Sequence, residues 1–271
     1  MITSQLMGGM GNQMFQYALG ITLSEQFKIP FSIDLSYLNR RDFGHLFVYR
    51  NYDLDIFDIN PSFEVEVDLV IEEKQFNFDS NLNQLISSNI DKNILLVGQW
   101  QSPLYFNEEL VRNHFQFKDK VEKSDIYTFN LLNRIKNSES VMINVRRSDY
   151  LNGDFHGVYG LDYINKAVSI IKESVSNPEF FIFSDDIEWC QENINLPNMT
   201  IVSHRYKGNK FSYYLQLMMN CKHFIIPNST FAWWAAWLNP NTDKLVVAPK
   251  RWFNRDEINT GDLIPNNWIR I

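Results

Sequence analysis

The sequence predicts an α/β protein built on doubly wound parallel sheet, and three observations carry that prediction. From residue 140 onward, short apolar runs alternate with amphipathic ones in the order strand, helix, strand, helix, strand, helix, strand. Parallel sheets with crossover helices require that alternation. The predicted strands end in chemistry-bearing residues: Arg146 and Arg147, then Asp185 and Asp186, then Asn228, Ser229 and Thr230. Near the start, Gly8, Gly9 and Gly11 immediately precede a helical pattern, and glycine allows close backbone approach to a ligand.

Each element follows from its spacing. Residues 12–27 place Met14, Phe15, Ala18, Leu19 and Leu23 on one helical face. The run IPFSIDL that follows reads as a strand, and residues 40–92 are polar and loop-rich. NILLVGQW, residues 93–100, is a strand ended by Gly98. Residues 122–140 read as a break that joins two α/β halves. SVMINV, 140–145, is a strand, and 160–174 is a helix with Leu161, Ile164, Ala167, Val168 and Ile171 on one face. EFFIFSDD, 179–186, is a strand with carboxylates at its end, and 211–221 is a helix. HFIIP, FAWWAAWL and KLVVAP then read as strand, helix and strand.

Bulk properties exclude several classes. A chain of 271 residues with 45% apolar composition forms one large domain or two of about 130 residues each. A formal charge of −7 disfavours a nonspecific nucleic-acid binder, whose surface is basic. Any anionic ligand must therefore meet a local cluster of positive charge. Cys190 and Cys221 lack metal-ligand spacing and form no disulfide framework, which fits a reducing compartment. Neither a secretory signal nor an apolar run of membrane-spanning length is visible. The most apolar stretch is interrupted by Pro227, Asn228, Ser229 and Thr230.

The strand ends hold the candidate site. In INVRRSDY, alternation puts Asn144 and Arg146 on one side and Val145 and Arg147 on the other. Arginine presents a fork of donors that matches phosphate or carboxylate; the alternative is a structural salt bridge, with Asp149 as a partner. In IIPNSTFAWW, a helix N-terminus with flanking hydroxyls can bind an anion; the alternative is an ordinary cap. In FIFSDD, Asp185 or Asp186 can accept from a base or ribose, or can cap the helix containing Trp189. Gly9 and Gly11, with Asp34 after the next strand, form part of a dinucleotide fingerprint, but its third glycine position holds Met14. That partial match supports a nicotinamide-dependent oxidoreductase as an alternative. Asp53 and Asp55 have the D-x-D form of some metal sites, yet their surroundings read as a half-exposed strand edge. Trp233 and Trp237 share one helix face, which is more often core than a sugar-stacking platform. The aromatics leave a non-catalytic carbohydrate-binding protein as the other alternative.

Taken together, GGMGNQMFQYALG, INVRRSDY, FSDD and YYLQLMMNCKHFIIPNSTFAWWAAWLN resemble the bacterial α-1,2-fucosyltransferases of glycosyltransferase family 11, from the start to about residue 250. The glycine loop and R-R-x-D are shared with α-1,6- and protein-O-fucosyltransferases. The resemblance implies a GT-B fold of two facing Rossmann-like domains with the donor in the cleft. It also implies GDP-β-L-fucose as donor, inversion, and neither metal nor cofactor. The expected division is an acceptor-side domain, 1–135, and a nucleotide-sugar-binding domain, 136–271. Arg146 carries over as the arginine that holds the GDP phosphates, Asp185, Ser229 and Thr230 as donor contacts, and Asn12 as a residue facing the reacting sugar. The expected donor set also includes Gly9, Gly11, Asn144, Arg147 and Asn228. The family usually reads H-x-R-R-x-D; Asn144 stands at the histidine position, can both donate and accept, and implies looser base selectivity. Base candidates are Asp149, Asp154, His156 and His45. The expected acceptor is a galactoside or similar hexoside, free or carried on a lipid, in surface polysaccharide (O-antigen) synthesis. That places the protein in the cytoplasm, at the inner face of the bacterial inner membrane through its substrate rather than an anchor.

Overall fold

The computed structural model describes residues 1–44, 48–61, 66–148, 150–152 and 155–271. The chain divides into two units, one of Met1–Lys118 with Glu257–Pro265, the other of Asp119–Asp256 with Asn266–Ile271.

The first unit runs β1 (Ile2–Gln5), α1 (Met10–Phe27), β2 (Phe31–Asp34), α2 (Ser36–Asn39), β3 (Leu69–Glu72), α3 (Leu82–Ser87), β4 (Ile94–Val97) and α4 (Glu108–His114). Its sheet has the order β2-β1-β4-β3 with every pair parallel. Ile2, Leu19, Leu23, Ile71, Ile94, Leu96 and Trp100 form the core between sheet and helices. Helix α1 lies close on the sheet because Gly20 has no side chain: a Cβ there would stand 2.1 Å from the Phe31 ring and 2.5 Å from Ser4 Oγ. Strand β3 and helix α3 fall inside the stretch expected to be loop. β3 is an edge strand with Val70 48% exposed, so only one face carries a hydrophobic signal.

The second unit runs α5 (Ile126–Asn137), β5 (Ser140–Val145), α6 (Leu161–Ser174), β6 (Glu179–Ser184), α7 (Ile187–Asn193), β7 (Met199–Ile201), α8 (Ser212–Met219), β8 (His223–Ile225), α9 (Thr230–Leu238), β9 (Val246–Ala248) and β10 (Ile269–Arg270). Its sheet is parallel in the order β10-β9-β8-β5-β6-β7. Val141, Met142 and Ile143 of β5 are wholly buried, as a central parallel strand covered on both faces must be. Helix α6 buries Ile164, Ala167, Val168 and Ile171, the predicted face.

Features of the second unit differ from the sequence reading as well. A strand, β7, stands between α7 and α8; its three half-buried residues are too few to show a period. Helix α5 occupies most of the expected break and belongs wholly to the second unit, which begins at Asp119. Asp125 caps α5 by accepting from Tyr127 and Thr128 N–H, and Leu131, Leu132 and Ile135 give it a buried face.

The strand orders create two switch points. From β5 the second sheet grows through β6 and β7 to one side, then from β8 through β9 and β10 to the other. In the first sheet β1 stands between β2 and β4. Ligands of open parallel sheets bind beyond the carboxyl ends of the strands at such points. Here those ends are Arg146 after β5 and Asn228–Ser229 after β8 in one unit, and the glycine loop after β1 and Gly98–Gln101 after β4 in the other. Among the described residues, no helix is long and apolar enough to cross a membrane.

Candidate functional site

In the second unit the two arginines after β5 part company, as strand alternation predicts. The Asp185 carboxylate accepts from Arg147 N–H at 2.9 Å and Ser148 N–H at 3.2 Å, and Arg146 Nη1 stands 3.1 Å from it. Ser148 Oγ donates to the Asp185 carbonyl at 3.3 Å. Asp185 thus binds the chain leaving β5 to the chain leaving β6, and orients Arg146. Arg147 lies on the other side: its Nε donates to Asp186 at 3.2 Å, and its guanidinium carbon is 4.0 Å from the centre of the Trp189 ring. Among the described residues, Arg147 pairs with Asp186. Asp186 also caps α7, accepting from Trp189 N–H at 3.1 Å. Asn144 donates its amide to the Phe183 carbonyl at 3.0 Å.

Across the switch point, Ser229 is the N-cap of α9, its hydroxyl accepting from Ala232 N–H at 3.5 Å, and Thr230 opens the helix. Asn228 is 1% exposed, and its amide donates to the Gly157 and Trp252 carbonyls at 3.1 and 2.9 Å. Its side chain ties loops together behind the turn. Tyr150 spans the two sides: its hydroxyl donates to the Asn228 carbonyl at 3.0 Å, and the Arg146 guanidinium lies 5.4 Å from its ring. His156 stacks on Tyr150 at 4.3 Å and 8°. The sequence reading quoted Tyr150 in its motif without a role; an aromatic just past an arginine pair was the available signal. Behind the turn, Trp233 and Trp234 are wholly buried and Trp237 is 9% exposed. They are core, as their spacing suggested.

In the first unit, Gly8 is the conformationally demanding glycine. Its φ is +75°, and a Cβ there would stand 2.5 Å from Asn12 Nδ2. Gly9 is the N-cap of α1 with φ −77° and open space around it, and Gly11 is buried inside the helix. Asn12 Oδ1 accepts from Gln101 Nε2 at 3.3 Å, so β1 and β4 each contribute to this switch point. Two buried glutamines hold the loop. Gln13 donates to the Gly8 and Asn51 carbonyls at 3.0 and 2.8 Å and accepts from Asp53 N–H at 2.9 Å. Gln16 accepts from Met7 N–H at 2.9 Å and donates to the Gly98 carbonyl at 3.1 Å. Sequence reasoning passed over Gln13, Gln16 and Gln101. Two amides three residues apart among the buried apolar residues of α1 were the missed sign. Met14, at the third fingerprint position, is wholly buried in the core; close helix–strand approach is served by Gly20 instead.

Burial shapes the titratable groups here. Glu73 accepts from Gln99 and Trp100 N–H at 2.7 and 3.0 Å, and desolvation pushes its pKa up despite those bonds. Desolvation also raises the Cys190 thiol to about 11 and the Cys221 thiol further. Asp34 accepts from Gln5 and from the Ser36 amide and hydroxyl. Asp53 and Asp55 lie on no strand edge: residues Leu54–Phe57 form a 3₁₀ turn with Leu54, Ile56 and Phe57 buried. Among the described residues, no group of three His, Cys, Asp or Glu side chains could hold a metal ion. Asp149, Asp154 and His45 lie outside the described residues.

A cation on one side of a switch point and a helix N-terminus on the other can together hold an anion with separated phosphates. The α-1,2-colitosyltransferase of Escherichia coli is 31% identical over 100% of this chain and 98% of its own. The O-antigen biosynthesis glycosyltransferase WbnK of Escherichia coli is 28% identical over 99% of each. Among solved structures, the fucosyltransferase NodZ from Bradyrhizobium superposes with a TM-score of 0.51 at 14% identity, covering 88% of this chain and 92% of its own. NodZ has also been co-crystallized with GDP. The model of Glycosyl transferase family 11 matches residues 1–271, the whole chain, and the protein belongs to that family.

Proposed function

We propose that the protein transfers L-fucose from GDP-β-L-fucose to the 2-hydroxyl of a galactoside, with inversion and without a metal ion, in the synthesis of a surface polysaccharide. The observation that carries this reading is the β5/β8 switch point, with Arg146 on one side and the Ser229–Thr230 helix start on the other. Support comes from family membership, from the O-antigen enzyme among the relatives and from the GDP held by NodZ.

In this reading the acceptor oxygen attacks the anomeric carbon in line, and the bond from that carbon to the β-phosphate oxygen breaks. The electron pair leaves with GDP, so negative charge grows on the β-phosphate. Arg146 and the α9 N–H groups meet it, aimed in advance. In this reading Asp185 and Asn144 serve the ribose and base, and Asn12 is assigned to the reacting sugar by the resemblance alone. The acceptor proton passes to a carboxylate or imidazole, with Asp149 and His156 as candidates. Neither alternative function is retained, because the chain belongs to a family of glycosyltransferases.

A second donor is favoured by the 31% identical colitosyltransferase: GDP-colitose, whose sugar lacks one ring hydroxyl of fucose. Incubation with either donor, EDTA and a panel of β-galactosides, with GDP release as readout, separates the two. Galactoside-dependent release from GDP-fucose in EDTA is the expected result. Release from GDP-colitose alone would replace the donor, and loss of activity in EDTA with recovery on adding a divalent ion would overturn metal independence.

A further inference from the structure

The rim of the second sheet beyond β7 carries a surface that the donor reading leaves unused. After β7 the chain makes two short turns, His204–Tyr206 and Asn209–Phe211, before α8. Residues 203–213 contain Arg205, Lys207 and Lys210 and no carboxylate, in a chain of formal charge −7. Beside them stands the start of α5, where Ile126 and Tyr127 are each 61% exposed. The Arg205 guanidinium lies 4.7 Å from the Tyr127 ring and 5.1 Å from the Tyr206 ring. Lys207 Nζ is 5.5 Å from the ring of Phe211, which is 39% exposed. One continuous surface therefore interleaves cations with apolar and aromatic side chains.

The backbone holds this surface out. Lys210 and Phe211 adopt φ of 46° and 61°, a left-handed conformation that non-glycine residues seldom take and that persists where the surroundings enforce it. Nearby carboxylates are largely engaged. Asp125 accepts from Tyr127 N–H at 3.0 Å and from Thr128 Oγ1 at 2.6 Å, and Glu122 pairs with Lys136 at 3.1 Å. In sequence, Asp119 and Glu122 alternate with Lys120 and Lys123.

We propose that Ile126, Tyr127, Arg205, Lys207 and Phe211 seat the protein on an anionic lipid surface. Cations attract the headgroups, and the aliphatic and aromatic side chains enter the boundary between headgroup and acyl chain. The local positive charge against an acidic whole supplies the complementarity. The inference does not depend on which sugar is transferred.

The test is sedimentation of the full chain with vesicles of phosphatidylglycerol and phosphatidylcholine, against phosphatidylcholine alone, at low and high salt. Binding to the anionic vesicles that weakens with salt is expected. Arg205→Ser and Lys207→Ser should each lower the vesicle partition by about fivefold. Ile126→Ser with Phe211→Ser should lower it further, with GDP affinity by calorimetry unchanged. Absence of wild-type sedimentation, or equal sedimentation of the variants, would overturn the proposal. Loss of GDP affinity in the variants would assign the surface to the nucleotide site. A dimer that the variants dissociate would assign it to a second copy of the chain, and either result also overturns it.

Discussion

Arg146→Ala, Asp185→Ala and the double variant form a cycle that separates positioning from chemistry. Asp185→Ala leaves two main-chain N–H groups, those of Arg147 and Ser148, without the carboxylate that now stands 2.9 and 3.2 Å away. Hydrogen bonds to a charged group contribute about 1.5–3 kcal/mol each. The Asp185 side chain is 18% exposed, so the lower end applies, and the expected loss of stability is about 3 kcal/mol for the pair. Arg146 is 27% exposed, and an ion pair in that setting contributes about 0–1 kcal/mol. Arg146→Ala should therefore unfold in urea close to wild type. Activity should respond in the opposite order. Removing one preorganised charge from a developing oxyanion slows turnover by about 100- to 1000-fold. Asp185→Ala should slow it less, because Arg146 remains but loses its orienting partner. Urea unfolding followed by tryptophan fluorescence and single-turnover GDP release read the two effects separately. An Arg146→Ala enzyme within threefold of wild type would refute the phosphate role. An Asp185→Ala chain that unfolds at the wild-type urea concentration would refute the bridging role.

Other consequences can be checked as simply. Gly8→Ala places a Cβ 2.5 Å from Asn12 Nδ2 at a φ of +75°; it should destabilise the chain by about 1–2 kcal/mol in urea and lower turnover through Asn12. Burial lowers the pKa of His223, and its Nδ1 accepts from Leu245 N–H at 3.1 Å, so the folded chain resists protonation there. The unfolded chain takes up that proton first, so this contribution to stability is full above the ordinary histidine value of about 6.5 and declines as pH falls below it. His223→Asn, which keeps an acceptor and removes the titration, should flatten the fall in urea midpoint as pH drops below about 6.5; an unchanged slope would show that another group controls it. Cys190 and Cys221 are wholly buried with raised thiol pKa values. Neither should react with a thiol reagent at neutral pH until urea unfolds the chain, and rapid labelling of the native protein would contradict that burial.

The elements of the second unit were legible because their patterns are local. A central parallel strand is apolar throughout, as at 140–145, and helix α6 shows its buried face at a period of about 3.6 residues. Edge elements were not. In β7 and β10, two or three half-buried residues cannot display a period. In β3 only one face is covered. The 3₁₀ turn at Leu54–Phe57 mimics strand alternation over a few residues, which is why Asp53 and Asp55 seemed to lie on an edge.

The candidate site divides in the same way. By itself the sequence determined that arginines, carboxylates and a hydroxyl-flanked helix start follow apolar strands, and alternation determined that Arg146 and Arg147 face opposite ways. Only the tertiary structure decided their partners. Arg146 meets Asp185 and Arg147 meets Asp186 from a strand almost 40 residues later, because β5 and β6 pair in register from Ser140↔Glu179 to Val145↔Ser184. That the end of β5 at Arg146 and the end of β8 at Asn228–Ser229 belong to neighbouring strands depends on the order β8-β5-β6. In the other unit, Gly20 rather than a fingerprint glycine permits the close approach of α1 to the sheet. Hydrophobic period and turn chemistry are properties of neighbours along the chain and can be read from it. Strand order and pairing are set by which buried surfaces fit together across the chain.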